Sequence, residues 1–260
     1  METTATRYNW PELIAELNRL VRLKSTPVGI KLFRDRAELA AIPRLRRPPE
    51  GAIFNGCQLI GQAVRLNYTI GFTAESLIGP QCQGVFGLCP AEEMRCNLEL
   101  TGVWYATAAD TQKHQHAMYH LNEVYDAVVA SPLAAGRLAE PDVCLIYATP
   151  QQVMLMVNAL QYEDYEVLQG SFVGESSCSD SWTRAIATGK PCVTIPCFGE
   201  RRYGGVLDEE MAIAFPPRYL PKMLDGLNKL SRNGLRYPAA FYGVQHDARE
   251  GLAKNYGSAK

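Results

Sequence analysis

Cys57, Cys82, Cys178 and Cys197 are the residues of this sequence whose type and setting point most directly to chemistry. A thiolate is both a nucleophile and a soft-metal ligand, and a helix N-terminus or a nearby Arg lowers its pKa below the usual value of about 8.5. The surrounding pattern predicts Cys57, Cys82 and Cys178 at or near helix starts. Cys197 lies in Pro196-Cys-Phe-Gly-Glu-Arg-Arg202, where a strand is expected to end in a turn that sets Gly199, Arg201 and Arg202 beside the thiol. Paired guanidinium hydrogen bonds there would hold a small anion, a carboxylate or a phosphate. Four thiolates are the ligand set of an iron–sulfur cluster or of a tetrahedral zinc ion. Yet 24 residues separate Cys57 from Cys82 and 18 separate Cys178 from Cys197, with no C-x2-C pair. Tertiary folding must therefore assemble such a site. The plain alternative is that these thiols pack as small hydrophobes.

Other candidates are weaker. Cys82, Cys89 and Cys96 recur every seven residues, but seven helical residues advance about 10.5 Å, too far for the series to share one cluster. Cys144 and Cys192 sit in strand-like runs and read as core. His114, His116 and His120 fall in one predicted helix, where His116 and His120 share a face; without an H-E-x-x-H glutamate they are better read as exposed or tertiary-bonded. His114 and His116 remain possible acid/base groups for a cleft at the helix N-terminus. Asp180, two residues past Cys178, is expected to cap its helix or orient a ligand. No nucleophile elbow, P-loop lysine motif or dinucleotide fingerprint occurs.

The elements that would carry these residues follow from periodicity. Asn9 and Pro11 open a helix with Leu13, Ile14, Leu17, Leu20 and Val21 as its buried stripe. Val28–Phe33 reads as a buried strand, and a proline-stiffened basic loop covers 34–51. Next come a helix over Cys57–Leu66, a strand over Tyr68–Thr73, a Gly79-Pro80 break, a short helix from Cys82, a strand over Leu98–Ala106 and a helix over Thr111–Val129. From Asp142 the order restarts, with strands at Val143–Ala148, Glu166–Val173, Cys192–Cys197 and Met211–Phe215 and helices at Gln151–Tyr162, Ser179–Thr188 and Pro217–Leu230. The expected fold is α/β, with α+β possible: two related β-α-β-α-β-α halves, 28–140 and 141–235, about a pseudo-twofold axis. Residues 1–27 form a packing helix and 236–260 an aromatic tail expected to dock on the body or in a homo-oligomer.

Composition narrows the function classes. Of 260 residues, 47% are hydrophobic and 20% charged, as in a globular protein, and 26 Lys+Arg balance 27 Asp+Glu. No global field draws the chain to nucleic acid or an anionic membrane. No signal-like start or bilayer-spanning apolar run occurs, so the expected compartment is the cytoplasm. Eight cysteines, about 3%, fall below the disulfide-scaffold range.

Pro27-Val-Gly-Ile-Lys31, Gly56-Cys57, the helix at Cys82, Pro141-Asp-Val, Pro150-Gln-Gln-Val-Met154, Cys178 and Cys197-Phe-Gly-Glu-Arg201 occur in an order that resembles the domain of unknown function 169 (ArCR) family from about Pro27 to Leu230. The resemblance implies the fold and the choice of Cys57, Cys82, Cys178 and Cys197, with Gly199 and Arg201 in its C-x-G-x-R element; it leaves the reaction open. The expected protein is thus a cysteine-ligated iron–sulfur or other thiophilic metal protein, with a small anionic molecule held beside the centre. It would be a redox or Lewis-acid enzyme, or an accessory to a partner enzyme. The alternatives are a metal-free cysteine nucleophile acting on a small acidic or acyl substrate, with His114 or His116 as base, and a non-catalytic binding protein.

Overall fold

The computed structural model describes residues 8–245 and Asp247. Its centre is a run of apolar strands buried on both faces. These are β1 (Val28–Phe33), β4 (Ala127–Pro132) and β5 (Val143–Ala148), with β2 (Leu45–Arg46), β3 (Thr69–Phe72), β6 (Cys192–Thr194) and β7 (Met211–Phe215) completing one sheet. The strand order is β2-β3-β4-β1-β5-β7-β6, and every pairing except β2 with β3 is antiparallel. The fold is therefore mixed α/β around a seven-stranded mixed sheet.

Alternation along β5 divides the interior in two. Val143, Leu145 and Tyr147 face one core, while Cys144, Ile146 and Ala148 face the other. The second core is closed by α1 (Trp10–Val21), α6 (Pro150–Leu160) and α9 (Tyr219–Arg232), whose Ile14, Leu17, Met156, Leu220 and Met223 are buried. Pro11 sits in the first turn of α1 as expected, although Asn9 makes no side-chain cap bond. Over the first core lie α2 (Gly56–Leu66), α3 (Gly79–Gly84), α4 (Ala91–Arg95), α5 (Ala108–Ala117), a π-helical turn (Ser179–Thr183) running into α7 (Arg184–Thr188), and α8 (Phe198–Arg202). Trp182 stacks on Phe86 at 5.4 Å, and Phe86 meets Phe72 edge-on at 5.0 Å. This aromatic column ties the 179–188 helix to the sheet.

Two expected strands do not form, and two other expected elements stop short. The helix expected over Thr111–Val129 ends at Ala117, and Ala127-Val-Val-Ala130 becomes strand β4, buried at every position. Residues 98–106 make turns with one isolated bridge, and 166–173 contribute only the Gly170 bridge to Val193. Val103, Trp104, Val167 and Phe172 of these stretches are exposed, so their alternation has no sheet face to bury. The strand expected over Cys192–Cys197 stops at Thr194. The halves also do not show the expected matching pattern: 28–140 supplies four strands and 141–235 three, joined in one sheet where β1 pairs β5. In the tail, Tyr237 packs on the second core and the Ala239 N–H donates to Gln151 Oε1 at 3.2 Å, while Phe241 and Val244 are exposed. The remainder of 248–260, and His246, lie outside the described residues. Among the described residues no helix is long and apolar enough to cross a membrane.

Candidate functional site

The four chosen cysteines come from four elements on the first-core side. Cys57 lies in the first turn of α2, Cys82 within α3, Cys178 at the N-cap of the π-helical turn, and Cys197 at the N-cap of α8. Cys82 is thus inside its helix, and Cys197, expected in a turn, begins one. All eight cysteines are free thiols.

Glycines permit the approach of these elements. A Cβ on Gly61 would stand 2.6 Å from the Gly204 carbonyl oxygen, and one on Gly204 would stand 3.0 Å from the Cys57 carbonyl oxygen, so α2 and the turn after α8 meet backbone to backbone. That contact places Cys57 against Cys197. The point where a Gly199 Cβ would stand is 3.6 Å from Cys57 Sγ, 3.6 Å from Cys197 Sγ and 3.6 Å from Glu175 Oε1, so the two sulfurs are no farther apart than twice that distance. Cys82 Sγ lies 4.0 Å from Oδ1 of Asn55, the residue that precedes α2, and the Gly56 amide donates toward the same sulfur.

The four thiols act on one another electrostatically. Burial pushes the Cys57 thiol well up, and the charges of Glu200, Cys197, Cys82 and Glu175 push the same way. Burial likewise raises Cys178, reinforced by Cys57, Cys197, Glu200 and Cys82. Cys82 is raised by burial and feels Glu175 and Cys197; Cys197 is raised by burial, Glu200 and Glu175, with the Ser177 hydroxyl opposing. Burial together with neighbouring negative charge disfavours the charged form of each thiol.

Two carboxylates complete the group. Glu200 is 1% exposed, accepts the Tyr147 hydroxyl at 2.5 Å and is bonded by Ser177 Oγ, which itself accepts the Cys197 N–H at 2.7 Å. Burial raises both Glu200 and Glu175, and Glu175 Oε2 is buried without a hydrogen-bond partner. Neither glutamate was singled out from the sequence, although each lies within three residues of a chosen cysteine. That adjacency was the available signal; their burial was not.

The remaining candidates are distributed as follows. His114 is buried, with Nε2 2.9 Å from the Glu175 carbonyl oxygen and its ring 4.8 Å from that of Tyr105. Nε2 donates to that carbonyl, Nδ1 is buried without a hydrogen-bond partner, and burial lowers the pKa of the ring. It therefore stands behind Glu175. His116 is exposed, with Nδ1 2.7 Å from the Gln112 carbonyl oxygen, and His120 has left the helix to meet Arg95 at 2.8 Å. The expected shared face of His116 and His120 does not exist, because the helix ends between them. Asp180 does not cap its helix; its Oδ2 accepts the Val173 N–H at 2.7 Å. Arg201, expected to hold an anion, instead donates to the carbonyls of Pro196 (3.2 Å), Leu207 (2.5 Å) and Glu210 (3.3 Å), while Arg202 lies over the rings of Phe198 and Tyr203. Cys144 and Cys192 are buried strand residues, Cys89 is buried with Sγ 3.5 Å from the Pro80 carbonyl oxygen, and Cys96 is exposed at the end of α4. Among the described residues, no group of three or more His, Cys, Asp or Glu side chains is arranged to hold a metal ion.

A relative from Methanocaldococcus jannaschii, named Uncharacterized protein MJ0308, is 30% identical over 106 residues, covering 40% of this chain and 45% of its own length. The chain thus matches less than half of that relative. No solved structure matches. The sequence pattern of the family described as Uncharacterised ArCR matches residues 16–226, which span both the sheet and all four cysteines. The chain belongs to the domain of unknown function 169 (Uncharacterised ArCR) family.

Proposed function

We propose that Cys57, Cys82, Cys178 and Cys197 together hold an iron–sulfur cluster, and that the protein uses it as a redox or Lewis-acid centre, as an enzyme or as the accessory of one. The observation that carries this reading is the approach of the Cys57 and Cys197 sulfurs and Glu175 Oε1 at Gly199, with Cys82, Cys178 and Glu200 close enough to act on the same thiols electrostatically. Burial and neighbouring negative charge disfavour ionisation of these six acidic groups, and a cation joining them would offset that. The guanidinium whose charge reaches Glu200 is Arg201, and it is anchored to three main-chain carbonyls. A multivalent cation would supply the missing charge and turn thiols into thiolates.

The side chains are not drawn in around one ion. A polynuclear cluster suits such a set better than a lone zinc, because its own irons and sulfides occupy the space between thiolates while each Fe–S bond stays near about 2.3 Å. When bound, a cluster would supply one-electron transfer or a Lewis-acidic iron. In this setting Tyr147 and Ser177 hold Glu200 in place, Ser177 orients the Cys197 backbone, and His114 fixes the main chain at Glu175.

Raised thiol pKa values favour this reading over a metal-free nucleophile, which needs its thiol lowered. Anaerobic purification with visible absorption and iron, sulfide and zinc analysis tests it. The expected result is a coloured protein whose iron and sulfide disappear together in Cys57→Ser and Cys197→Ser. A colourless, metal-free chain, isolated and reconstituted anaerobically, would overturn it; rapid alkylation of Cys178 or Cys197 would then favour the thiol enzyme.

A further inference from the structure

A cavity of about 330 Å³ opens between the end of α6, α7 and the start of α9, and none of the four cysteines lines it. At its inner side is Arg184, a charged residue only 8% exposed. Among the described residues Arg184 forms no ion pair, and its Nη1 is buried without a hydrogen-bond partner. Its guanidinium carbon lies 5.2 Å from the centre of the Tyr119 ring, which also lines the cavity. Asp180 stands one turn earlier on the same helix; its Oδ2 accepts the Val173 N–H and its Oδ1 is buried without a hydrogen-bond partner, but it makes no ion pair with Arg184 and does not line the cavity. A guanidinium removed from water with its fork unfilled is costly unless an anion meets it.

The rest of the lining fits a small organic anion. Lys222 and Tyr219 come from α9, and the acidic residues at the mouth are Asp164 and Glu166, the latter already paired with Lys190. Arg184 and Lys222 thus remain as cationic groups against Asp164. Tyr119 and Tyr219 offer ring surface to an apolar body. The volume lies at the low end for small-molecule sites, suited to a single small acid and too small for a dinucleotide.

We propose that this cavity binds a small organic molecule through its oxyanion, a carboxylate or a phosphate, with Arg184 gripping the charged end and the two tyrosines flanking the body. The site is independent of the cysteine reading.

Calorimetric titration of the full chain with inorganic phosphate, phenyl phosphate and benzoate tests this. Saturable binding of phenyl phosphate or benzoate, tighter than that of inorganic phosphate, is expected, and the preferred probe identifies phosphate ester or carboxylate as the natural group. Arg184→Met should weaken binding at least about tenfold, and Lys222→Glu should weaken it while leaving the buried Arg184 in place. Cys57→Ser should bind as the parent does, which separates failure of this site from failure of the metal centre. Absence of binding by all three probes, or unchanged affinity in Lys222→Glu together with a folded Arg184→Met, would overturn the proposal. If Arg184→Met does not fold, unchanged affinity in Lys222→Glu is sufficient to overturn it.

Discussion

Cys57 and Cys197 lie 140 residues apart in the chain and meet across a single missing methyl group, the Cβ that Gly199 lacks. A methyl there would touch both sulfurs and Glu175 Oε1 at 3.6 Å, an ordinary contact distance, so the chain can accept it. Gly199→Ala should therefore keep or slightly raise its Tm, since a Gly→Ala change that the native backbone accepts contributes about 0.4–1 kcal/mol through the unfolded chain. It should nevertheless lose most of its bound iron, because the added methyl occupies the space between the ligands. Thermal melting beside iron analysis checks this; full iron content in the variant would show that the space is not used.

Gly61 gives the opposite pairing of effects. A Cβ at Gly61 collides with the main chain of Gly204 at 2.6 Å, and neither backbone can rotate aside. Gly61→Ala should cost about 1–3 kcal/mol, the usual range for overpacking, and reduce iron content by moving α2 off the α8 turn. Denaturant titration and metal analysis on one preparation would show both losses; a loss of neither would mean that the approach of these backbones is not needed.

Arg201 is a structural clamp. Replacing it with Gln removes hydrogen bonds to three carbonyls around the α8 turn and should cost about 1–3 kcal/mol. Binding of phenyl phosphate or benzoate should be unchanged in the same variant. Weakened probe binding with unaltered stability would return Arg201 to the anion role expected from its place in the Cys197 motif.

Much of the sheet was legible because its strands carry their own signal. Val28–Phe33 and Val143–Ala148 are compact apolar runs, and the helices expected over Cys57–Leu66 and Gln151–Tyr162 correspond to α2 and α6 within two residues at each end. Strand β4 was hidden for the same reason that it is central. Buried on both faces, it shows no alternation, and no Gly or Pro marks the exit from α5 at Met118. The stretches at 98–106 and 166–173 carried the reverse error, a strand-like pattern on residues that face solvent. At the site, thiol chemistry and flanking residues pointed to the cysteines. The roles of Glu175, Glu200 and Arg201 depended on burial and on which carbonyls lay nearby, and neither quantity is encoded locally.

Acid stability should show two opposing contributions. The Arg19 hydrogen bond, helped by Asn228, holds the Glu16 carboxyl down at about 2. Above the ordinary carboxylate range that pairing is fully stabilising, and it is lost as pH falls toward 2. Asp142, raised by burial while accepting the Leu32 N–H, behaves conversely: between its ordinary and raised values the native state holds the extra proton, so stability falls as pH rises through that window. The Tm difference between parent and Glu16→Gln should shrink on acidification, whereas for Asp142→Asn the parent should lose ground as pH rises. Parallel melting curves across the acid range would contradict both assignments.

Trp182 anchors the helix that begins at Cys178, stacked on Phe86 and 1% exposed. Trp182→Ala should cost about 3–5 kcal/mol, as expected for a large aromatic removed from a close-packed core. The loss should appear in the denaturation midpoint even in metal-free protein. A change below about 1 kcal/mol would mean that this column contributes little to holding Cys178 in place.

Iron-edge X-ray absorption on protein isolated or reconstituted without oxygen examines the ligands themselves. Four sulfur-bearing side chains on one cluster require an all-sulfur first shell near about 2.3 Å, accompanied by an iron–iron distance, and substitution of any of Cys57, Cys82, Cys178 or Cys197 by Ser should degrade both. A shell of oxygen or nitrogen donors, or a chain that retains no iron at all, would contradict a shared metal centre at these four cysteines.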